Sequence, residues 1–185
     1  MADPVVAILG AAGMLGTDLV AACEERGIVA RAYDLPAFDI ADAAQLRRAI
    51  DGADAVINCA AYTNVDGAET QSDLAHRVNA EAVGWLGTFA RDAGIWVLHF
   101  STDFVFDGRQ DRPYVETDEP NPINEYGRSK LAGEQRLLES GCPCCIVRIE
   151  WTYGLHGKNF VTKVIERAGQ GGSLKVVDDQ VGSPT

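Results

Sequence analysis

The chain is poor in basic residues and has no long apolar run. Of its 185 residues, 16 are Lys or Arg and 27 are Asp or Glu, which gives a net charge of −11. Without a basic patch, binding to nucleic acid or to an anionic membrane surface is not expected. No apolar run is long enough to span a bilayer, and the first residues lack the basic start of a signal peptide. We therefore expect a soluble, cytoplasmic protein with no nucleic-acid or membrane partner.

Cysteine and histidine are too few and too poorly spaced to indicate a metal site. There are five Cys and three His, and Cys142, Cys144 and Cys145 stand close together. No second Cys-x-x-Cys pair and no His pair at ligand spacing occurs elsewhere in the chain. Small residues of a buried strand explain the cluster better, because free cysteine behaves as a small apolar residue. We predict neither a metal site nor a disulfide.

Short apolar runs rich in β-branched residues alternate with helical patterns along the whole chain. This alternation predicts an α/β fold with a Rossmann-like, doubly wound parallel sheet flanked by helices. The predicted strands are 5–9, 28–33, 55–58, 95–100, 144–149 and 174–177. The predicted helices are 14–26, 43–50, 66–70, 72–93, 124–140 and 158–168. We divide the chain into a cofactor-binding domain, 1–148, and the start of a substrate-binding region, 149–185, most of which lies outside this chain.

The first strand leads directly into three glycines, Gly10, Gly13 and Gly16, and then into a helical pattern. In that context the glycines allow a tight turn, a close approach of pyrophosphate to the backbone and close packing of helix on strand. The helix N-terminus then offers free N–H groups to phosphate oxygens. A flexible turn is the alternative, but the strand–turn–helix setting favours a dinucleotide site.

An acidic residue, Asp34, ends the second predicted strand, 24 residues after Gly10. A dinucleotide-binding fold places there the carboxylate that accepts a hydrogen bond from the adenine ribose. The same charge would repel a 2′-phosphate, so NADH is favoured over NADPH, although Arg31 lies close enough to weaken this preference. Asp39, followed by Ile40, is a candidate contact to the adenine.

Small residues, Cys59, Ala60 and Ala61, follow the third predicted strand and leave room for a ribose and a nicotinamide beside the backbone. Tyr62 could then pack over the ligand, and an ordinary turn at the strand end is the alternative. Farther on, Asn79 lies within a predicted helix, where a buried amide needs backbone partners. It could tie this helix to the next strand.

Tyr126 and Lys130 stand four residues apart on one face of a predicted helix. A phenol with an ordinary pKa near 10 is a poor acid at neutral pH, and a nearby ammonium lowers that pKa. Thr102 lies just past a buried strand, where its hydroxyl could hold a substrate carbonyl; we choose it over Ser101 because neighbouring strand residues face opposite ways. An amphipathic helix with a surface lysine is the alternative for the Tyr–Lys pair alone.

Taken together, these motifs resemble the extended short-chain dehydrogenases, and specifically the dTDP-4-dehydrorhamnose reductases. The resemblance covers nearly the whole chain and keeps its motifs in order. The matching stretches are the three glycines, 58–69, 101–106, 126–134, 148–154, 158–160 and 179–185.

The resemblance implies that NADH or NADPH reduces the 4-ketone of dTDP-4-dehydro-L-rhamnose, with Thr102, Tyr126 and Lys130 as catalytic residues. Residues implied to bind the cofactor are Gly10, Gly13, Met14, Leu15, Gly16, Asp34, Asp39, Ile40, Cys59, Ala60, Ala61, Tyr62, Tyr126 and Lys130. Residues implied to bind the substrate are Thr102, Asp103, Phe104 and Trp151. A sugar nucleotide is the expected ligand, and a homodimer is possible.

Two features differ from the family pattern. Where relatives have small hydroxyl residues, this chain has Ile149 and Glu150; a Glu150 carboxylate facing the cavity would repel a nucleotide diphosphate. Relatives are also longer by roughly a hundred residues, more than half a typical domain. Two other functions stay open: a non-catalytic subunit resembling the β subunit of methionine adenosyltransferase, and a sugar-nucleotide epimerase or dehydratase.

Overall fold

A parallel five-stranded sheet forms the centre of the protein, in the order β2-β1-β3-β4-β5. This computed structural model describes residues 3–157, 159–171 and 173–185. The strands are β1 (Val5–Leu9), β2 (Val29–Tyr33), β3 (Ala55–Asn58), β4 (Trp96–Thr102) and β5 (Cys144–Ile149). Each neighbouring pair is parallel.

Helices cover both faces of the sheet because successive strand residues point to opposite sides. Ala7 and Leu9 of β1 belong to a large apolar cluster, whereas Ile8 packs with Cys23 on the other face. The α-helices are α1 (Met14–Glu25), α2 (Ala43–Ile50), α3 (Val65–Ala68), α4 (Ser72–His76), α5 (Ala82–Ala93), α6 (Glu125–Glu139) and α7 (Phe160–Gly169). The predicted α/β fold with a parallel sheet is confirmed. In the described part of the chain, no helix is both long enough and apolar enough to cross a membrane.

Polar caps fix where two of the helices begin. Asp42 accepts hydrogen bonds from the amides of Ala44 (2.9 Å) and Gln45 (3.0 Å) at the start of α2. Asn124 accepts one from Gly127 N (2.7 Å) at the start of α6. Side-chain oxygens at this position satisfy N–H groups that have no partner inside the helix. The cap at Asn124 sets the start of the helix that carries Tyr126.

The single helix predicted over 72–93 is interrupted by a π-helical turn, Arg77–Glu81, between α4 and α5. This turn contains buried Asn79. Packing is close here, because a Cβ on Gly133 of α6 would collide with Asn79 O. The apolar period of the sequence continues through the turn, so periodicity alone did not reveal it.

Several predicted bounds shift by one or two residues, and three differences affect the cavity. Strand β4 runs to Thr102, so this residue ends the strand instead of following it. The strand predicted over 174–177 is wrong, because residues 173–185 form neither helix nor strand. Val176 and Val177 are 54% and 64% exposed and lie along the cavity described below, where they make no sheet pairing. Lys158, the predicted start of the last helix, lies outside the described residues, and α7 begins at Phe160 behind an Asn159 cap.

Candidate active site

One large cavity opens at the carboxyl ends of the parallel strands, where ligands bind in sheets of this type. Its volume is about 1710 Å³. That exceeds the roughly 300–1,000 Å³ typical of pockets for one small ligand. The glycine turn, the ends of β3 and β4, the start of α6 and residues 149–153 all contribute to its wall. The space is sufficient for a dinucleotide beside a second ligand.

The glycine turn is shaped by two close backbone approaches. Gly10 has φ +79°, and a Cβ there would lie 2.6 Å from Ala60 N. A Cβ on Gly16 would collide with Gly10 O. Gly13 precedes α1, and no side chain caps this helix. The first N–H groups of a twelve-residue helix are therefore available to an anion at the cavity wall.

Asp34 connects the end of β2 to the glycine turn. One carboxylate oxygen accepts a hydrogen bond from Ala12 N (2.7 Å), and the other accepts one from Leu35 N (2.7 Å). The guanidinium of Arg31 donates instead to Asp51 O (2.7 Å) and lies outside the cavity lining. Because a carboxylate oxygen has a second lone pair, Asp34 can still accept from a ribose hydroxyl.

Asn79 ties the cofactor side of the cavity to α6. Its side-chain oxygen accepts from Tyr62 N (2.8 Å), and its amide nitrogen donates to Tyr62 O (3.1 Å) and to Ser129 Oγ (2.9 Å). The predicted backbone partners are therefore present. The expected link to the next strand is wrong, since Asn79 joins the segment after β3 to α6. This fixes the backbone of Tyr62, which lines the cavity.

Lys130 is almost fully buried and donates a hydrogen bond from Nζ to Phe100 O (2.7 Å). Burial lowers its pKa to about 8, while the nearby Glu134 carboxylate acts in the opposite direction. At neutral pH the side chain is charged, and two of its three N–H donors remain available. It can therefore act as a cation inside the cavity.

Tyr126 lies one helical turn before Lys130, and its ring contacts Phe104 edge to face with centroids 5.7 Å apart. Burial raises the pKa of the Tyr126 phenol, the neighbouring Thr102 hydroxyl lowers it, and the Asp103 charge raises it again. The net direction is upward, opposite to the lowering expected from Lys130. The physical reason is that burial outweighs the other effects on the phenol. Tyr126 is therefore a protonated acid throughout the neutral range.

Thr102 already uses its hydroxyl in two hydrogen bonds. Oγ1 donates to Asp103 Oδ1 (2.9 Å) and accepts from Phe104 N (3.2 Å). The Asp103 carboxyl has a raised pKa, chiefly because it is buried, with the Thr102 hydrogen bond opposing and the Glu150 charge adding to the shift. Ser101 also lines the cavity, but its buried Oγ has no hydrogen-bond partner among the described residues. The choice of Thr102 over Ser101 as the hydroxyl that holds the substrate stays a prediction.

His99 is fully buried beneath the site. Its Nδ1 lies 3.1 Å from Asn58 Nδ2, and burial keeps the pKa of the ring well below its ordinary value. Its Nε2 has no partner within the described chain. The ring is therefore neutral, and only one of its two nitrogens has a hydrogen-bond partner among the described residues.

Sequence reasoning missed the ion pair between Glu134 and Arg148. Arg148 donates to both carboxylate oxygens (3.0 and 2.7 Å), and its guanidinium lies 5.0 Å from the centre of the Phe106 ring. Glu134 is four residues after Lys130 on the same helix, which was the available signal. The pair joins α6 to β5 and places a negative charge near Lys130.

All the residues predicted for cofactor, substrate or catalysis lie in the lining of this cavity. Trp151 is among them, with a left-handed backbone (φ +43°) directly after Glu150. Among the described residues, no group of three or more His, Cys, Asp or Glu side chains could hold a metal ion.

Comparison with known proteins gives one consistent result. Residues 5–185 match the family described as RmlD substrate binding domain. The dTDP-4-dehydrorhamnose reductase of Mycobacterium tuberculosis is 44% identical over 183 residues, which cover 96% of this chain and 60% of that protein. The chain thus spans about 60% of the length of this relative.

Two solved structures are similar to the chain. One is dTDP-4-dehydrorhamnose reductase from Bacillus anthracis in complex with NADP (36% identity, TM-score 0.95, covering 100% of this chain and 66% of that one). The other is MoeE5 in complex with UDP-glucose and NAD (26% identity, TM-score 0.78, covering 88% and 60%).

Proposed function

The chain belongs to the RmlD substrate binding domain family, and from this premise we propose that the protein is an NAD(P)H-dependent dTDP-4-dehydrorhamnose reductase. It reduces the 4-keto group of dTDP-4-dehydro-L-rhamnose to the alcohol of dTDP-L-rhamnose. The observation that carries the proposal is the presence of Thr102, Tyr126 and Lys130 in the same cavity as the glycine turn. The name of the M. tuberculosis relative supports the substrate.

The reaction needs a hydride and a proton, and these come from two different groups. A bound NADH or NADPH would supply the hydride to C4, with the electrons of the C=O bond moving to oxygen. Tyr126 gives its phenolic proton to that oxygen, and Thr102 holds the oxygen by a hydrogen bond. For this the Thr102 hydroxyl must turn its hydrogen from Asp103 Oδ1 to the ketone. The phenolate left behind recovers a proton from solvent.

Lys130 stabilises the phenolate that forms as the proton leaves. Its buried ammonium is fixed by Phe100 O, so it contributes a positioned charge without reorganisation. Its two remaining N–H donors would bind the nicotinamide ribose of a bound cofactor. Glu134 favours the charged form of Lys130 and so supports this role.

On the cofactor, we propose that NADH is preferred over NADPH. The Asp34 carboxylate lies in the cavity lining, where it would accept a ribose hydroxyl and repel a 2′-phosphate. Arg31, the nearby cation that could offset this charge, is bonded to Asp51 O. The ratio of kcat/KM for NADH to that for NADPH should exceed one and should fall in Asp34→Ala.

The two alternative functions have less support from the site. A non-catalytic subunit would not require the threonine, tyrosine and lysine that this cavity keeps together. A dehydratase of this superfamily would be expected to carry an Asp-Glu pair after the threonine, and here Phe104 follows Asp103.

The direct test follows NADH absorbance when dTDP-4-dehydro-L-rhamnose is added to the complete protein. We expect one NADH consumed per substrate, and a loss of at least about 10²-fold in kcat in Tyr126→Phe with NADH affinity retained. Tyr33→Phe is the matched control, because Tyr33 packs on Phe38 and lies outside the cavity lining. A wild-type protein that binds NADH but never oxidises it with this substrate would reject the proposal.

A further inference from the structure

Glu150 holds the segment 182–185 through both its side chain and its backbone. Its carboxylate accepts a hydrogen bond from Ser183 N (3.0 Å). Its own amide donates to Thr185 Oγ1 (3.0 Å), and its carbonyl accepts from Thr185 N (3.1 Å). Three bonds thus join the residue after β5 to a segment more than thirty residues later.

The residue opposite the carboxylate must be small. A Cβ on Gly182 would collide with Glu150 Oε1. Gly182 is not among the glycines with positive φ, so its backbone conformation does not itself demand glycine. The requirement at this position is therefore for space beside Glu150, and the two residues fit each other as a pair.

The segment has little else to hold it. Among the described residues, every hydrogen bond made by 173–185 goes to Glu150. Val176 and Val177 are largely exposed, and Val181 is 98% exposed, so burial contributes little. Yet Lys175, Val176, Val177 and Gln180 line the cavity. Within residues 1–185, the hydrogen bonds that position this wall are therefore those of Glu150.

Glu150 lines the cavity, and its carboxylate accepts a hydrogen bond from the backbone N–H of Ser183. The expected repulsion between this carboxylate and a diphosphate stays a prediction. The charge of Glu150 also reaches Asp103, whose carboxyl has a raised pKa partly for that reason. Glu150 therefore interacts both with the wall formed by 175–185 and, through its charge, with Asp103, which is hydrogen bonded to Thr102.

We propose that Glu150 is a positioning residue that fixes 182–185 against β5 and so sets the substrate-side wall of the cavity. It determines affinity for the sugar nucleotide and leaves the dinucleotide affinity unchanged, because the glycine turn and Asp34 stand on other elements. This inference rests on the proposed function for the identity of the ligand, and on geometry alone for the contact itself.

The experiment is a double-mutant cycle in the complete protein, with dTDP and NADH as separate calorimetric probes. When Glu150 is present, Gly182→Ala should weaken dTDP binding about tenfold. In a Glu150→Ala background the same change should weaken it less than about twofold, because the added Cβ no longer meets the Glu150 carboxylate. Glu150→Ala alone should weaken dTDP binding, and Glu150→Gln should restore most of it, since its amide oxygen can accept from Ser183 N. NADH affinity should stay within about twofold of wild type throughout.

A readout that needs no ligand separates this inference from the proposed function. Amide hydrogen exchange in a peptide containing Ser183 and Thr185 should accelerate in Glu150→Ala and stay near wild type in Glu150→Gln. If Gly182→Ala and Glu150→Ala act independently on dTDP affinity, or if exchange is the same in all variants, Glu150 has no positioning role. If the wild type fails to bind dTDP, the proposed function fails, and the exchange experiment alone then decides on the contact.

Discussion

Residues 5–149 and residues 150–185 are built in different ways. In the first region Ala7, Ile8 and Leu9 have no exposed surface, and buried side chains fill both faces of the sheet. In the second region α7 contains no buried residue, and Leu155 is 96% exposed. Within residues 1–185, the first region is stabilised by apolar burial, and the second is held by a few polar contacts. The difference coincides with the proposed division between cofactor and substrate.

The second region contacts the first at α1, where His156 Nε2 lies 3.5 Å from Asp18 Oδ1. Within the second region, Glu150 holds 182–185, as described above. Asn159, which is buried, donates to Gly154 O (2.8 Å) and contacts Met14 Sδ (3.7 Å) at the start of α1. Substitutions at these attachments should therefore change the substrate side of the cavity more than the stability of the sheet.

The largest expected effect comes from comparing one apolar truncation in each region. Leu86→Ala removes a fully buried side chain of α5 and should lower the free energy of unfolding by about 2–5 kcal/mol. Ile165→Ala, in α7, removes a side chain that is 66% exposed and should change it by less than about 0.5 kcal/mol. Urea unfolding of residues 1–185, followed by circular dichroism, measures both. Equal losses would mean that the two regions share one core, contrary to the contrast drawn here.

A smaller effect is expected from the two hydroxyls at the end of β4. Thr102→Val should lower kcat about 10²-fold, because it removes the hydrogen bond to the ketone oxygen. Ser101→Ala should change kcat less than about threefold, because removing an unpaired buried hydroxyl is nearly neutral. Steady-state NADH oxidation by both variants provides the comparison. The reverse order would place the substrate-binding hydroxyl on Ser101.

The pH dependence of kcat/KM should report Lys130. Its pKa of about 8 means that the required positive charge is lost above pH 8, whereas Tyr126, with a raised pKa, keeps its proton. Activity should fall about tenfold per pH unit above that value. In Glu134→Gln the fall should begin at lower pH, because Glu134 favours the charged form. Lys163→Met, an exposed control on α7, should leave the profile unchanged.

This loss of activity is separable from unfolding. A lysine whose folded pKa is lowered binds fewer protons in the folded state between about pH 8 and its ordinary pKa of 10.5. The contribution of Lys130 to stability therefore rises with pH over that window. If kcat/KM falls only near the pKa of a free tyrosine, the role given to Lys130 is contradicted.

Much of the cofactor half was predictable from the sequence because its local signals agree with one another. Apolar runs mark β1, β3 and β5 at their observed bounds, and the glycine spacing marks the turn. The π-helical turn was not predictable, since it follows the same apolar period as a regular helix. The absence of a strand at 174–177 was not predictable either. This segment has the composition of a strand, but strand formation also depends on its tertiary surroundings.

At the site, the sequence predicted which residues share the cavity but not the hydrogen bonds that they make. Tyr126 and Lys130 followed from helix spacing, yet the upward shift in the pKa of Tyr126 depends on burial, which spacing does not show. Glu150 was recognised as unusual, but its partners lie more than thirty residues away. Contacts between distant segments depend on tertiary structure, and no local pattern encodes them.

Titration of residues 1–185 with NADH, followed by fluorescence, tests most directly the claim that residues 5–149 hold the dinucleotide. We predict saturable binding at one site per chain, weakened about tenfold in Asp34→Ala by loss of the hydrogen bond to the ribose. Glu24→Ala, an exposed acid on α1, should bind like the wild type. The account would be contradicted by a folded chain that does not bind NADH, or by an NADH affinity that Asp34→Ala and Glu24→Ala both leave unchanged.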